Sequence, residues 1–144
     1  MKILVLALLG AIAAVACGGD APVASTTQAV DFTMVAQNGS GVAGTGMVVK
    51  GADSFTVTIK LSGLMPNSSH VSHLHAGRCL APGGIAFALH QVVADGTGAA
   101  TIESTVPTGY AVPASGWYVN VHHGPDFSAP ANAPSDSCGD LRAA

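Results

Sequence analysis

Histidine is the residue type with the most chemistry to offer in this sequence. The chain has six histidines, and all of them lie between His70 and His123. His73 and His75 are two residues apart in a predicted strand, so their side chains leave one face, whereas His70 leaves the other. His122 closes a second predicted strand. Three imidazoles from two strands would suit copper or zinc, whereas magnesium and calcium prefer oxygen ligands.

The elements that must position these histidines are predicted to be strands. From Gln28 onward, short apolar runs alternate with turn signals, and no helical period emerges. In 54–62, Phe55 and every second residue after it are apolar, the pattern of a strand with one buried face. Strands are predicted at 28–36, 43–50, 54–62, 70–75, 85–93, 99–106, 116–122 and 138–141.

Two further segments complete the predicted domain. A hairpin turn is expected at 95–98, which has the sequence Asp-Gly-Thr-Gly. Residues 124–137 contain three prolines and few apolar side chains, so we expect a long functional loop there. Seven or eight short strands predict an all-β fold, an antiparallel Greek-key β-sandwich or barrel, over residues 28–142.

The composition excludes two classes of protein. The 144 residues include only five Lys or Arg and eight Asp or Glu, so 9% are charged, against ~25% in ordinary soluble domains. Hydrophobic residues reach 49%, so disorder through excess charge is excluded. The net charge is -3 and the sequence has no cluster of basic residues, so a nucleic-acid-binding protein is excluded. No feature of the sequence indicates an oligomeric state.

The first sixteen residues are typical of an export signal. Residues 3–16 are almost wholly apolar and follow a short basic start, but they are too few to span a ~30 Å hydrocarbon core. The small residues before Cys17 resemble a bacterial lipobox, which implies lipidation of Cys17, with cleavage nearby and no lipid as the alternative. Residues 17–27 are predicted to be a flexible tether. We therefore expect a protein anchored to the cell envelope only through its lipid, or a secreted one.

The other two cysteines are Cys79 and Cys138. In an exported chain they either form one disulfide or remain two buried thiols.

The histidine pattern resembles that of copper-zinc superoxide dismutases. In that family, a strand ending in Gly-Leu precedes His-x-x-His-x-His, as residues 61–75 do here. Residues 119–122 resemble the strand that carries the last copper ligand, and 138–141 resemble the C-terminal cysteine segment. The resemblance implies one copper ion per chain, and superoxide or the copper ion itself as the partner.

The resemblance also assigns roles to individual residues. His73, His75 and His122 match copper ligands, which makes them the catalytic residues, and His70 matches a structural histidine. Asp126 matches an aspartate that orients the metal-binding histidines through hydrogen bonds. Cys79 and Cys138 match the disulfide within each subunit.

The sequence departs from the family pattern at two positions and in one segment. Ile85 stands where the histidine that bridges copper and zinc is expected, and residues 80–84 offer no ligand, so zinc is not expected. His90 is either a replacement ligand or a partly exposed strand histidine. Ser135 stands where the family places an arginine that guides the anion, and Arg78 and Arg142 are alternative positive side chains. Without the bridging histidine, His123 or a water molecule would have to donate the proton.

A second family shares some of these motifs. Residues 118–122, Tyr-Val-Asn-Val-His, resemble the equivalent strand of chordin-type (CHRD) domains, which have no established general catalytic role. A His-x-His pair also occurs by chance, with both side chains in solvent and no metal bound. Three hypotheses therefore follow. The chain is an exported copper-dependent superoxide dismutase, a non-catalytic copper-binding lipoprotein, or an interaction module whose histidines only pack.

Overall fold

The fold is built almost entirely from β-strands. The computed structural model describes residues 28–143. The strands are β1 (Ala29–Ala36), β2 (Ala43–Lys50), β3 (Phe55–Ser62), β4 (Ser69–His70), β5 (Ser72–Arg78), β6 (Ala81–Ala88), β7 (Val92–Val93), β8 (Ala100–Val106), β9 (Trp117–His122) and β10 (Ser135–Leu141). One 3-10 turn, Pro130–Asn132, lies in the loop before β10. Three predicted features lie outside the described residues: the signal peptide, Cys17 and the tether. Within residues 28–143, no helix is long and apolar enough to cross a membrane.

Eight of the strands form one curled antiparallel sheet in the order β6-β5-β9-β10-β1-β2-β3-β8, and β4 pairs with β7 in a small second sheet. Strands distant in sequence become neighbours, because β5 pairs with β9 and β3 with β8. The predicted all-β class and antiparallel sandwich or barrel architecture is therefore confirmed.

Burial follows the period of two that the sequence predicts. On β3, Phe55, Val57, Ile59 and Leu61 are buried, while Lys60 between them is exposed. Leu74 on β5 and Val119 and Val121 on β9 join the same core with no exposed surface. Fully burying one such side chain stabilises a fold by about 1.5 to 3 kcal/mol. The core side of β5 and β9 is thereby fixed, and their other face is left for polar residues.

Two predicted strands are divided in the structure. The strand expected at 70–75 breaks at Val71, whose N–H donates to the Gly124 carbonyl at 2.9 Å and whose carbonyl accepts the His122 N–H at 3.0 Å. His70 therefore lies in the small sheet, separate from β5. The strand expected at 85–93 is β6 and β7, which lie in different sheets.

The turn at 95–98 forms, but it does not join paired strands. The Asp95 carboxylate accepts hydrogen bonds from Thr97 and Ala99, and β7 and β8 on either side lie in different sheets. The prediction of a hairpin turn is therefore wrong. Gly98 has a φ of +80°, and a Cβ there would lie 2.2 Å from the Leu64 carbonyl oxygen, so only glycine fits.

The two cysteines form a disulfide. Cys79 lies in the turn between β5 and β6, and Cys138 lies in β10, with their Cα atoms 5.9 Å apart. The bond therefore joins the turn of the edge hairpin to β10, which the sheet order separates from β5 by one strand, β9. The Cys79 N–H also donates to the Asp140 carboxylate at 2.8 Å.

Candidate metal centre

The three predicted ligands share the outer face of two paired strands. Because Leu74 on β5 and Val119 and Val121 on β9 point into the core, the alternating residues leave the opposite face. His73 lies opposite Asn120, and His75 lies opposite Tyr118.

The structure brings His73, His75 and His122 together. One ring nitrogen from each lies within 4.8 Å of the others, and the three residues are 6 to 8% exposed. Neighbouring nitrogens on one ion, each bound at ~2.0 to 2.1 Å, lie about 3.0 to 3.4 Å apart. The widest pair of nitrogens would therefore close by up to about 1.5 Å to hold one ion. Among residues 28–143 this is the one group of three or more such side chains that could hold a metal.

Hydrogen bonds decide which nitrogen of each ring is free. His75 donates from Nδ1 to the Gly83 carbonyl at 3.1 Å, and His122 donates from Nδ1 to the Ala133 carbonyl at 2.7 Å. Both rings therefore keep the lone pair on Nε2, which is the state that a metal ligand requires.

Two ring nitrogens in the cluster have no hydrogen-bond partner. His73 Nδ1 and His75 Nε2 are buried and make no hydrogen bond. Leaving a buried polar atom unpaired costs about 1 to 3 kcal/mol, and native folds seldom retain such atoms without a reason. A metal ion would satisfy both atoms at once, so the donor set fits a metal.

The third nitrogen has a different neighbour. His122 Nε2 accepts a hydrogen bond from the Asn120 amide Nδ2 at 3.1 Å. The Asn120 carbonyl oxygen in turn accepts a hydrogen bond from the Ser135 hydroxyl. Ser135, at the position where the resemblance places an arginine, therefore takes part in a neutral chain of hydrogen bonds that ends on a candidate ligand.

Two aromatic rings shield the histidines. Tyr118 stacks on His75 with ring centroids 4.9 Å apart. Phe127 stacks on His73 at 5.4 Å and meets His122 edge-on at 4.7 Å, although its own side chain is 47% exposed. Phe127 belongs to the predicted functional loop, but no spacing in the sequence distinguishes it from the other loop residues.

Burial keeps His73 and His122 neutral. Desolvation, and then the nearby His122 and His75, lower the pKa of His73 from 6.5 to about 4. Desolvation also lowers the pKa of His122, and its hydrogen bond to Ala133 offsets part of that effect. At neutral pH both rings are therefore ready to bind a metal without first losing a proton.

The structure does not place Asp126 against the histidines. Its exposed carboxylate accepts hydrogen bonds from the Ser128 N–H at 2.8 Å, the Ser128 hydroxyl at 2.5 Å and the Asn132 amide at 3.3 Å. The expected role of orienting the ligands is corrected to bracing the loop, because an aspartate two residues before a serine forms this local turn readily.

A different aspartate contacts histidines. Asp136 is buried, accepts a hydrogen bond from His123 Nδ1 at 3.0 Å and lies 3.6 Å from His70 Nδ1. His70 is buried as well, and its Nδ1 donates to the His122 carbonyl at 2.9 Å. His70 thus connects β4 to the end of β9, as a structural histidine would. No motif or spacing in the sequence distinguishes Asp136 from the other acidic residues.

The remaining candidates lie away from the cluster. His90 is exposed between β6 and β7, and its Nδ1 donates to the Glu103 carbonyl at 2.7 Å. Arg78 and Arg142 line a groove beside the disulfide and not the histidine cluster. Ile85, at the position of the expected bridging histidine, lies opposite His75 in the β5–β6 ladder and is 53% exposed.

No protein-family model and no curated protein matches this chain. A function for this chain is therefore proposed from the geometry of the site.

Proposed function

We propose that the chain is an exported copper-binding protein whose site at His73, His75 and His122 supports the dismutation of superoxide. The observation that carries the proposal is the pair of buried, unpartnered nitrogens, His73 Nδ1 and His75 Nε2, beside a third imidazole. Such a cluster is costly in the metal-free protein and favourable once an ion binds.

The ligands favour a transition metal, and among the divalent first-row ions Cu²⁺ binds nitrogen ligands most tightly. The cluster consists of three neutral imidazoles, without a carboxylate or thiolate, and imidazole suits copper, zinc, iron and nickel rather than magnesium or calcium. When bound, copper would supply the one-electron cycle that takes an electron from one superoxide and gives it to a second. Three histidine ligands do not fill the coordination sphere of copper, so room remains for a reacting molecule to bind.

The protein's own residues have supporting roles in this proposal. The Gly83 and Ala133 carbonyls fix the orientation of His75 and His122. Tyr118 and Phe127 limit the water around the ligand rings. His123, the next residue after His122, has a side chain that is 59% exposed and donates to the Asp136 carboxylate, and the proposal assigns proton donation to it or to a water molecule.

A copper-binding protein without catalysis is the second candidate, and a specific observation favours it. Neutral side chains, Ile85 and Ser135, occupy the positions where the resemblance expects the bridging histidine and the guiding arginine. Arg78 and Arg142 lie along the groove beside the disulfide. Electrostatic attraction of superoxide to the site would therefore be weak.

One experiment separates these functions. We expect the purified domain to bind one copper ion per chain at neutral pH and the loaded protein to remove superoxide. His75→Ala should abolish both properties, because it removes one of three ligands, whereas His90→Ala, at an exposed histidine outside the cluster, should change neither. Copper binding without activity would support the buffering protein, and the absence of copper binding would leave the chordin-type interaction module.

A further inference from the structure

Asn120 is an unusual residue for its position. It lies in the middle of β9, is 7% exposed, and faces the same side of the sheet as the candidate ligands. Its neighbours on that face are His122, two residues along the strand, and His73, its partner on β5. Asparagine is depleted in strands, and a buried amide must have partners for both its oxygen and its nitrogen.

The hydrogen bonds of Asn120 can be reversed without moving the backbone. In the structure, Ser135 donates to Oδ1, and Nδ2 donates to His122 Nε2. A half turn of the amide would exchange Oδ1 and Nδ2. The Ser135 hydroxyl can then accept from Nδ2, because a hydroxyl both donates and accepts. The oxygen would then face His122 Nε2, where it has no proton to accept in that tautomer.

In that second orientation, Oδ1 could bind a metal ion held by His122. Asn120 Nδ2 lies 3.1 Å from His122 Nε2, so after the half turn Oδ1 would lie at about that separation. Two ligand atoms on one ion, each bound at ~2.0 to 2.2 Å, are about 3.0 to 3.4 Å apart when they are neighbours in the coordination sphere. The oxygen would therefore lie at the distance expected of a fourth ligand.

We propose that Asn120 is a fourth ligand of the site whose binding depends on the oxidation state of copper. Its Oδ1 binds Cu²⁺ and detaches when the ion is Cu⁺, which stays on the three histidines. This inference rests on the proposed copper-binding function. Cu²⁺ favours tetragonal sites with nitrogen and oxygen ligands. Cu⁺ is softer, does not need an amide oxygen, and remains with the three imidazoles. With Cu⁺ still on His122 Nε2, the amide would keep only its hydrogen bond with Ser135.

The obvious rival role of Asn120 predicts the opposite result. If the amide only caps the His122 lone pair in the metal-free protein, it competes with the metal, and removing it should tighten copper binding. If Oδ1 is a ligand, removing it should weaken the binding of Cu²⁺ specifically. A residue that merely supports the strand would weaken Cu²⁺ and Cu⁺ binding alike.

The test measures the affinities of the wild type and of Asn120→Ala for Cu²⁺ and for Cu⁺ separately, by competition with a chelator for each ion. We expect Asn120→Ala to lower the affinity for Cu²⁺ about tenfold or more and to leave the affinity for Cu⁺ unchanged. The ratio of the two affinities, and hence the preference for the oxidised state, should fall by the same factor. An unchanged or increased affinity for Cu²⁺, or an equal loss for both ions, would overturn the proposal.

Asn120→Asp provides a second variant that keeps an oxygen ligand and nearly the same shape. It should retain a Cu²⁺-to-Cu⁺ affinity ratio at least as high as that of the wild type, and a lower ratio would contradict the proposal even if Asn120→Ala does not fold. A wild type that binds neither ion would refute the proposed copper function itself. A wild type that binds copper while the ratio is insensitive to Asn120 would refute only the role of this residue.

Discussion

Lowering the pH should destabilise the metal-free domain through His73. Burial and the two neighbouring imidazoles lower the pKa of His73 in the folded protein to about 4, whereas the unfolded chain keeps a value near ~6.5. The unfolded state therefore binds the proton more readily. Above ~6.5 both states are neutral and the effect is absent, and stability is lost progressively as the pH falls from ~6.5 towards about 4.

The size of the effect follows from the difference between the two pKa values. This difference in pKa corresponds to at most about 3.4 kcal/mol of folding free energy. Screening by solvent at the margin of the site reduces this, so we expect His73 to contribute roughly 1 to 2 kcal/mol by about pH 4.5. That is a measurable part of the ~5 to 15 kcal/mol by which small domains are stable.

The assay is denaturant unfolding at about pH 7.5 and about pH 4.5, in the presence of a chelator and without reductant. His73→Gln, which cannot titrate, provides the matched control, because the carboxylates and the other histidines are common to both proteins. The wild type should lose roughly 1 to 2 kcal/mol more than His73→Gln between the two pH values. Parallel pH profiles would show that His73 is not held neutral by the fold and would refute the argument.

Three further results are expected. Replacing both Cys79 and Cys138 by serine should lower the free energy of unfolding by about 4 kcal/mol, because the bond closes a loop across 59 residues; chemical denaturation measures this, and an unchanged midpoint would contradict it. Phe127→Ala should leave stability nearly unchanged, since the ring is half-exposed, but should accelerate copper release several-fold to a chelator in stopped-flow measurements; release at the wild-type rate would exclude a shielding role. Gly124→Ala should destabilise the domain by roughly 1 to 3 kcal/mol, because its Cβ would lie 2.1 Å from Asn132 Cγ, whereas Gly96→Ala, with no atom within 4 Å, should have little effect on the melting temperature.

Local patterns predicted most of the fold because they depend on which residues face the core. The alternation in 54–62 identifies β3 almost to the residue, and the same rule places His73 and His75 on one face. The break at Val71 could not be predicted in this way. It depends on hydrogen bonds to His122 and Gly124, about fifty residues further along the chain.

The residues of the site also differ in whether local sequence patterns or tertiary contacts identify them. The three histidines were identified from spacing and resemblance, but Asn120, Phe127 and Asp136 acquire their roles only through tertiary contacts. Asp126 illustrates the converse, because its spacing suggested a contact with the ligands while its short-range hydrogen bonds hold it in the loop. Which of two nearby aspartates meets a histidine depends on how β10 pairs with β9, and no local pattern records that pairing.

The pairing of β5 with β9 also determines how much of the site survives unfolding. His73 and His75 remain neighbours in any conformation of the chain, whereas His122 meets them only when the two strands align. A ligand stabilises the folded state only by the excess of its affinity over its affinity for the unfolded chain. An unfolded chain that retains a His-x-His pair would already bind some copper, so the excess would come mainly from His122. Copper would therefore stabilise the contact between β5 and β9 in particular, rather than every strand of the domain alike.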